Sequence, residues 1–466
     1  MPSKLDQLVD SICEKWQRTY GDERPFPNRS KTIQDPVHGA IEVEREMVFI
    51  LDSVMMQRLR WISQLGFANE VFPGANHTRF EHSLGVMHLV GRILERIGKQ
   101  MNLTDDQILE AKAAGLLHDV GHLPFSHVPE PLLENDLSVM SEATRLKIKP
   151  SEVLTMRIIS SQWMQDIFDT INKQARRNLN VKNVANLAVG YAPTDAPKLK
   201  FLGELAHADF DADRMDYLMR DAHYTGVPLG TLDKDRLIRT TTVRTSVGKT
   251  KHLAIDVKGL HSLESMIVAR SMMYSTVYFH HAVRAANAML LRAIRMTFHR
   301  APLKLLEYDD SSLVNLLCRE KSNTRRIAKM LISRNIYKPA LKIKISHAKN
   351  EPALMDFLGE LTLDLTIDHE NHISREVRND GRNYCMLDMP RVERYSEIDA
   401  NIVENGTVSA VKQHSKIAEG VGNDPNLKWR GYVFSVRDKV DQVREKALKY
   451  LDQIGLTFSE AASSSV

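Results

Sequence analysis

Cysteine is scarce in this 466-residue sequence: Cys13, Cys318 and Cys385 are far apart and odd in number. They cannot build a disulfide framework or a zinc knuckle, and a reducing cytosol fits them best. Long apolar runs are missing as well. No stretch of about 18 apolar residues occurs, so no membrane span is expected. The N-terminal MPSKLDQLVDSICEKW carries acids early and does not read as a signal peptide, which leaves a cytoplasmic location as the expectation. A dominant charge is also lacking. Lys and Arg number 63 against 59 Asp and Glu, a net charge of +4. That is too mild to indicate a nucleic-acid partner, although a locally basic pocket for a polyanion would not move the total. Repeats and low-complexity linkers are absent too.

The composition, 43% hydrophobic and 26% charged, belongs to a globular chain long enough for one large domain or two. Residues 1–30 read as a short amphipathic helix ending at Gly21 and the Pro25–Pro27 pair, too short to be a domain. Residues 31–300 read as mainly helical. Leu84, Val86, Leu89, Val90, Ile93 and Ile97 form an apolar stripe at helical spacing. Thr104-Asp-Asp-Gln107 is a capping box opening a helix that should run to about Asp119. One long helix is expected over 260–299. Strand-like pieces stand at Ile41–Val43 and His252–Val257. From 301 to 466 helices alternate with candidate strands at Leu341–Ile345, Thr407–Val411 and Gly431–Val436, then a helix near 437–453 and a Ser-rich tail. The expected fold class is mainly α: an all-helical core with short strands, plus a C-terminal α+β lobe.

Histidine is concentrated where the rest of the chain has little. His77, His82, His88, His118, His122 and His127 crowd one region of a chain with 18 histidines. The densest piece is His118-Asp119-Val-Gly-His122-Leu-Pro-Phe-Ser-His127. His118 and Asp119 fall at the end of the capped helix, where Gly121 and Pro124 break it. Imidazole nitrogen and carboxylate oxygen together suit Mg²⁺, Mn²⁺, Fe or Zn²⁺. Further ligands must come from elsewhere, His82 and Asp213 being the best candidates. His88 lies in the apolar stripe and reads as structural; His77 stays undecided.

Several blocks now stand in order: Asp35-Pro-Val-His-Gly39, Gln57-Arg-Leu-Arg60, Gln64-Leu65-Gly66, Phe72-Pro-Gly74, Thr78-Arg-Phe-Glu-His-Ser-Leu-Gly85, His118-Asp119, Asp213-Arg-Met-Asp-Tyr217 and Arg220-Asp221. Over about residues 31–300 this series resembles the HD-superfamily dNTP triphosphohydrolases, a family with bacterial members and a mammalian antiviral member that couples an HD to a SAM domain. The resemblance implies an HD core at 31–300, flanked by an N-terminal extension and a C-terminal lobe at 301–466. It implies His82, His118, Asp119 and Asp213 as ligands of a divalent metal. The substrate would be a dNTP, cleaved to deoxynucleoside and triphosphate by a metal-activated water attacking the α-phosphorus. His127 would protonate the leaving oxygen, Glu130 would hold its imidazole, and His122 would stand behind a ligand or face phosphate. Arg79 would meet the α-phosphate, Arg214 other phosphate oxygens and Arg270 the terminal phosphate. Gln64, Leu65, Tyr217, Asp221, Tyr274 and Tyr278 would surround the sugar, with Asp221 accepting from the 3′-hydroxyl and Tyr278 near C2′.

Asp213, Tyr217 and Asp221 are spaced to share one helical face; Arg270, Tyr274, Tyr278 and His281 are expected to share another. Asp52, Gln57, Arg60, Arg236 and Lys258 match an activator-nucleotide site in the mammalian relative. That match implies dGTP or another dNTP as activator, and a homo-oligomer, a tetramer. The chain also departs from the family. Ser151-Glu152 stands where many relatives have His-Glu, Glu130 where aspartate is usual, and Tyr274 where some have histidine. The missing His-Glu pair keeps open a non-catalytic nucleotide sensor or nucleic-acid-binding protein, and the HD pair alone also allows another HD phosphohydrolase such as a phosphodiesterase or nucleotidase.

Overall fold

The structure, a computed structural model, describes residues 3–21, 24–246, 248–390, 400–423 and 429–459. The Ser-rich tail lies outside them from residue 460. Helix α1 (Lys4–Tyr20) buries Leu5, Val9, Ile12, Cys13 and Trp16, and the Trp16 indole donates to Leu306 O at 3.0 Å. A hairpin of β1 (Lys31–Asp35) and β2 (Gly39–Val43) follows, with Lys31 opposite Val43. Its turn is fixed by Asp35, whose Oδ1 accepts from the backbone of Val37 and His38 at 2.9 and 2.8 Å.

The central helix is α2 (Arg79–Met101), followed by α3 (Asp105–Leu117). The capping box of α3 is present: Gln107 N donates to the Thr104 hydroxyl at 3.2 Å and Thr104 N to Gln107 Oε1 at 3.1 Å. Helix α3 ends at Leu117, so His118 and Asp119 sit at its C-terminal exit as expected. Beyond α4 (Pro150–Ile159) lies α5 (Ala212–Thr225), capped by Asp211, which accepts from Arg214 N at 2.7 Å, and closed by Gly226 at φ +73°. Helix α2 packs against both α3 and α5. The crossing with α5 requires Gly85: a Cβ there would stand 1.9 Å from Asp216 Oδ1 and 2.5 Å from an Arg220 nitrogen.

After β3 (Thr241–Thr245) and β4 (Lys251–Asp256), the single helix expected over 260–299 is broken. Helix α6 (Leu260–Met273) runs into a π turn at Tyr274–Tyr278, and α7 (His281–Phe298) starts anew with His280 as its N-cap. A π turn closes i→i+5 hydrogen bonds and shifts the helical register. His281 therefore does not continue the face begun by Arg270 and Tyr274 and instead stacks on His280 at 4.6 Å, whereas Tyr278 keeps its ring 5.1 Å from that of Tyr274.

The C-terminal part is α+β. Strands β5 (Lys338–Ile343), β8 (Thr407–Ala410) and β9 (Gly431–Ser435) and helix α8 (Val440–Gln453) fall close to the expected positions, while β6 (Cys385–Asp388) and β7 (Asn401–Glu404) stand where no strand was expected. The sheet orders are β3-β4-β7-β8 and β5-β9-β6. The β4–β7 pair is parallel, Ile255 opposite Ile402, so a strand preceding residue 300 and one following it share a sheet. One continuous hydrophobic core runs from Leu5 to Leu456. Among the described residues no helix is long and apolar enough to cross a membrane.

Candidate metal centre and substrate pocket

Helix α2 brings His82, the α3 exit brings His118 and Asp119, and the first turn of α5 brings Asp213. One ligand atom each from His82, His118 and Asp213 falls within 4.8 Å of the others. His82 Nε2 stands 3.0 Å from Asp213 Oδ1, and His118 Nε2 3.9 Å from the same oxygen. Asp119 completes the group at 3.3 Å from His118 Nε2 and 3.6 Å from His82 Nε2. Its oxygens are shared with neighbours: Arg79 donates to Oδ2 at 2.7 Å and His122 Nε2 stands 3.1 Å from Oδ1.

The donor set fits a divalent cation on two grounds. His82 Nδ1 faces Asp216 Oδ2 at 2.7 Å and His118 Nδ1 faces Gly115 O at 2.9 Å. Oxygens that only accept hold the protons on Nδ1 and free both Nε2 lone pairs, the outer arrangement that orients ligating histidines. Both Nε2 atoms are buried without a hydrogen-bond partner, a cost that a cation would relieve. Without one, burial pushes the His82 imidazole down but Asp213 and Asp216 outweigh it, lifting it to about 10. Asp213 is held at about 2, its burial overcome by His82 and His118.

Behind His82 lies a charged network with no exposed side chain. Arg220 donates to both oxygens of Asp216, at 2.8 and 2.9 Å, and to Asp35 Oδ2 at 2.8 Å. His38 Nε2 adds a contact to Asp216 Oδ1 at 2.6 Å. In the sequence Asp35, His38, Asp216 and Arg220 stand within motif blocks that assign them no role. The signal was there in the i, i+4 spacing of Asp216 and Arg220 on a helix already carrying the ligand Asp213.

The loop after the HD pair carries the other half of the site. Phe125 and Ser126 both adopt left-handed backbone, φ 60° and 59°, at about 1–2 kcal/mol each. Asp310 accepts from Phe125 N at 2.6 Å, and the Ser126 hydroxyl donates to Ser63 O at 2.5 Å and accepts from Arg79 Nε at 2.8 Å. The strained turn aims His127 back at the cluster, its Nε2 3.1 Å from an Arg79 nitrogen and its Nδ1 3.1 Å from Glu130 Oε1. Burial pushes Glu130 up, but His127, His122 and the Ser151 hydroxyl outweigh it and hold it at about 2. Ser151 therefore stands against Glu130. His122 is pushed down to about 4 by burial and by Arg79, so it is neutral.

The residues assigned to the sugar and phosphates gather beside this. The Arg270 guanidinium lies against the phenols of Tyr217 and Tyr274, 5.5 Å above the Tyr274 ring. Arg214 is held by Asp209 at 3.2 Å. Asp221 accepts from the Tyr278 hydroxyl at 2.6 Å and meets His77 Nε2, left undecided from the sequence, at 2.8 Å. Gln64 is buried, its Oε1 without a partner, and Leu65 is half-buried. The five residues matched to an activator site form two groups. Arg60 donates to Gln57 at 2.9 Å while Lys31 holds Asp52 at 3.1 Å, and Arg236 donates to Lys258 O at 2.9 Å.

Comparison with known proteins adds to this geometry. Residues 79–218 match the HD domain family and residues 232–456 the HD associated region. An uncharacterized protein of Methanocaldococcus jannaschii is 30% identical over 424 residues, covering 90% of this chain and 82% of its own length. The deoxynucleoside triphosphate triphosphohydrolase SAMHD1 of Gallus gallus is 31% identical over 57% of this chain, and that of Homo sapiens 28% over 56%. The chain spans about half the length of these two relatives, 45% and 44%. A crystal structure of a hypothetical protein from Aquifex aeolicus superposes with TM-score 0.68 at 26% identity, covering 90% of this chain and 99% of that one.

Proposed function

We propose, from the premise that this chain belongs to the HD-domain family whose members carry an HD associated region, that it hydrolyses deoxynucleoside triphosphates to deoxynucleoside and inorganic triphosphate. The observation that carries the reading is the convergence of His82, His118, Asp119 and Asp213 with two unpartnered Nε2 atoms, beside a pocket of Arg270, tyrosines and Asp221. The deoxynucleoside triphosphate triphosphohydrolase activity for which the SAMHD1 relatives are named supports the substrate class.

These four residues would hold the cation; Mg²⁺, Mn²⁺, Fe and Zn²⁺ all suit the nitrogen and oxygen donors. When bound, it supplies Lewis-acid stabilisation of phosphoryl charge and lowers the pKa of water. Arg79, Arg214 and Arg270 bind the triphosphate, each leaving a present partner. Arg79 matters twice. A guanidinium only donates, so in the resting site His127 Nε2 must be the accepting nitrogen and its proton sits on Nδ1, facing Glu130. When Arg79 turns to the α-phosphate, the freed Nε2 would take up a second proton from solvent, Glu130 stabilising the imidazolium, and would pass that proton to the leaving 5′-oxygen, which returns the ring to its neutral form. Ser151, where many relatives have histidine, cannot itself deliver that proton; here it supports Glu130.

The same reading gives Asp52, Gln57, Arg60, Arg236 and Lys258 to an activating nucleotide, dGTP or another dNTP, between subunits of a homotetramer. It gives the protein a cytoplasmic role in dNTP-pool control or antiphage defence. The experiment is product analysis with each dNTP, singly and mixed, plus Mg²⁺ or Mn²⁺. Triphosphate and deoxynucleoside are expected, and a His118→Ala, Asp119→Ala double variant should be inert. Monophosphate or orthophosphate as first product, or turnover surviving the double substitution, defeats the assignment. Size-exclusion profiles that ignore every added nucleotide defeat the activator site.

A further inference from the structure

His77 lies between two groups that the proposed reading assigns to the sugar. Its carbonyl accepts from Gln64 N at 3.0 Å through a short bridge that pairs Ser63 with Thr78. Its Nε2 meets Asp221 Oδ1 at 2.8 Å, with both side chains buried. A carboxylate only accepts, so Nε2 carries the hydrogen. The ring is clamped from below by Tyr224, stacked at 4.7 Å and 14°, three residues past Asp221 on α5. Its Nδ1 is buried without a hydrogen-bond partner. The polar capacity of this imidazole is thus spent on one oxygen of Asp221, at the cost of leaving the other nitrogen unmet.

The second oxygen of Asp221 is held differently. Tyr278 reaches it from the end of the π turn between α6 and α7, a segment whose register differs from the helices on either side. His77 belongs to the stretch that opens α2, anchored by Arg79 N donating to Ile62 O at 3.0 Å. One partner sits on a rigid, doubly anchored stretch and the other on an irregular turn.

We infer that His77 is a positioning residue that fixes the rotamer of Asp221, leaving its Tyr278-facing oxygen to exchange the phenol for the 3′-hydroxyl of the nucleotide. This inference rests on the reading of the site as one for deoxynucleoside triphosphates. His77 touches no reacting atom. It sets the discrimination between a sugar with a 3′-hydroxyl and one without.

The test compares each dNTP with the matching 2′,3′-dideoxynucleoside triphosphate in the metal-loaded full chain, for wild type, His77→Phe, His77→Gln and His77→Asn. A hydrogen bond from a neutral hydroxyl to a charged acceptor is worth about 10- to 100-fold in this comparison, so wild type should favour the dNTP by that factor in kcat/KM. His77→Phe keeps a ring for Tyr224 and removes the donor. It should lose most of that preference by slowing the dNTP, with the dideoxy rate and the bound metal unchanged. His77→Gln places an amide N–H near the old Nε2 and should restore the preference; the shorter His77→Asn should not. Equal losses for both sugars in His77→Phe and His77→Gln would make His77 a packing residue and overturn the inference. So would a wild type that hydrolyses dNTPs but treats the two sugars alike, and in that case the reading of the site survives. A wild type that turns over no dNTP ends both.

Discussion

The two halves of the site are built on opposite plans. On the α2–α5 side, His82, Asp216, His38 and Arg220 have no exposed side-chain surface, and each is tied by at least one close contact. On the loop side, His127 leaves 65% of its side chain exposed and Glu130 25%. The difference fits the roles proposed for each. A cation site would need fixed ligands and a fixed tautomer, whereas a proton donor at His127 would first shed Arg79 and then meet a ligand arriving from solvent. The contrast is one of the groups behind His82 against His127, for the ligand Asp213 itself leaves 32% of its side chain exposed.

Predictions follow from setting one half against the other. The largest effect on turnover is expected on the exposed side: His127→Ala should lower kcat by about 10²–10⁴-fold, the usual contribution of a positioned general acid, with bound metal unaltered by elemental analysis. A His127→Ala variant that also loses its metal would erase the division. On the buried side, Asp216→Asn should weaken metal binding by about 10- to 100-fold. It should also destabilise the fold by about 3–5 kcal/mol, because Arg220 loses half its compensation; chelator competition and denaturant melts measure the two. Full metal affinity in that variant would show that the network is scaffolding alone.

The smallest and most specific effect is in pH. His82 in the metal-free protein is raised to about 10 from its ordinary 6.5. A raised imidazole contributes its full stability below the unfolded value and loses it as pH climbs through the folded one. The metal-free protein should therefore lose stability between about pH 6.5 and 10. A bound cation, which takes the place of that proton, should flatten the slope. A His82→Asn chain with the same metal-free slope would remove His82 as its source.

The same division explains what could be read from the sequence. The capping box at Thr104, the α2 stripe and the face shared by Asp213, Tyr217 and Asp221 are local, and each follows from helical period alone. The π turn at 274–278 was not legible, because apolar spacing on both sides suits one continuous helix. Nor was the use of Asp35 and His38, which depends on a hairpin turn meeting α5 across 178 residues of sequence between His38 and Asp216. No strand is expected from the sequence at β1, β3, β6 or β7, and β4 and β7 pair only through tertiary contact. The support that Ser151 lends to Glu130 had no trace in composition, since it depends on how α4 packs beside the loop.

The most direct test of the metal centre is an anomalous difference map from crystals grown with Mn²⁺. The account predicts one strong peak within bonding distance of His82 Nε2, His118 Nε2, Asp119 and Asp213, about 2.0–2.3 Å from each. A map with no density there, or with its principal peak among His122, His127 and Glu130 instead, would contradict it.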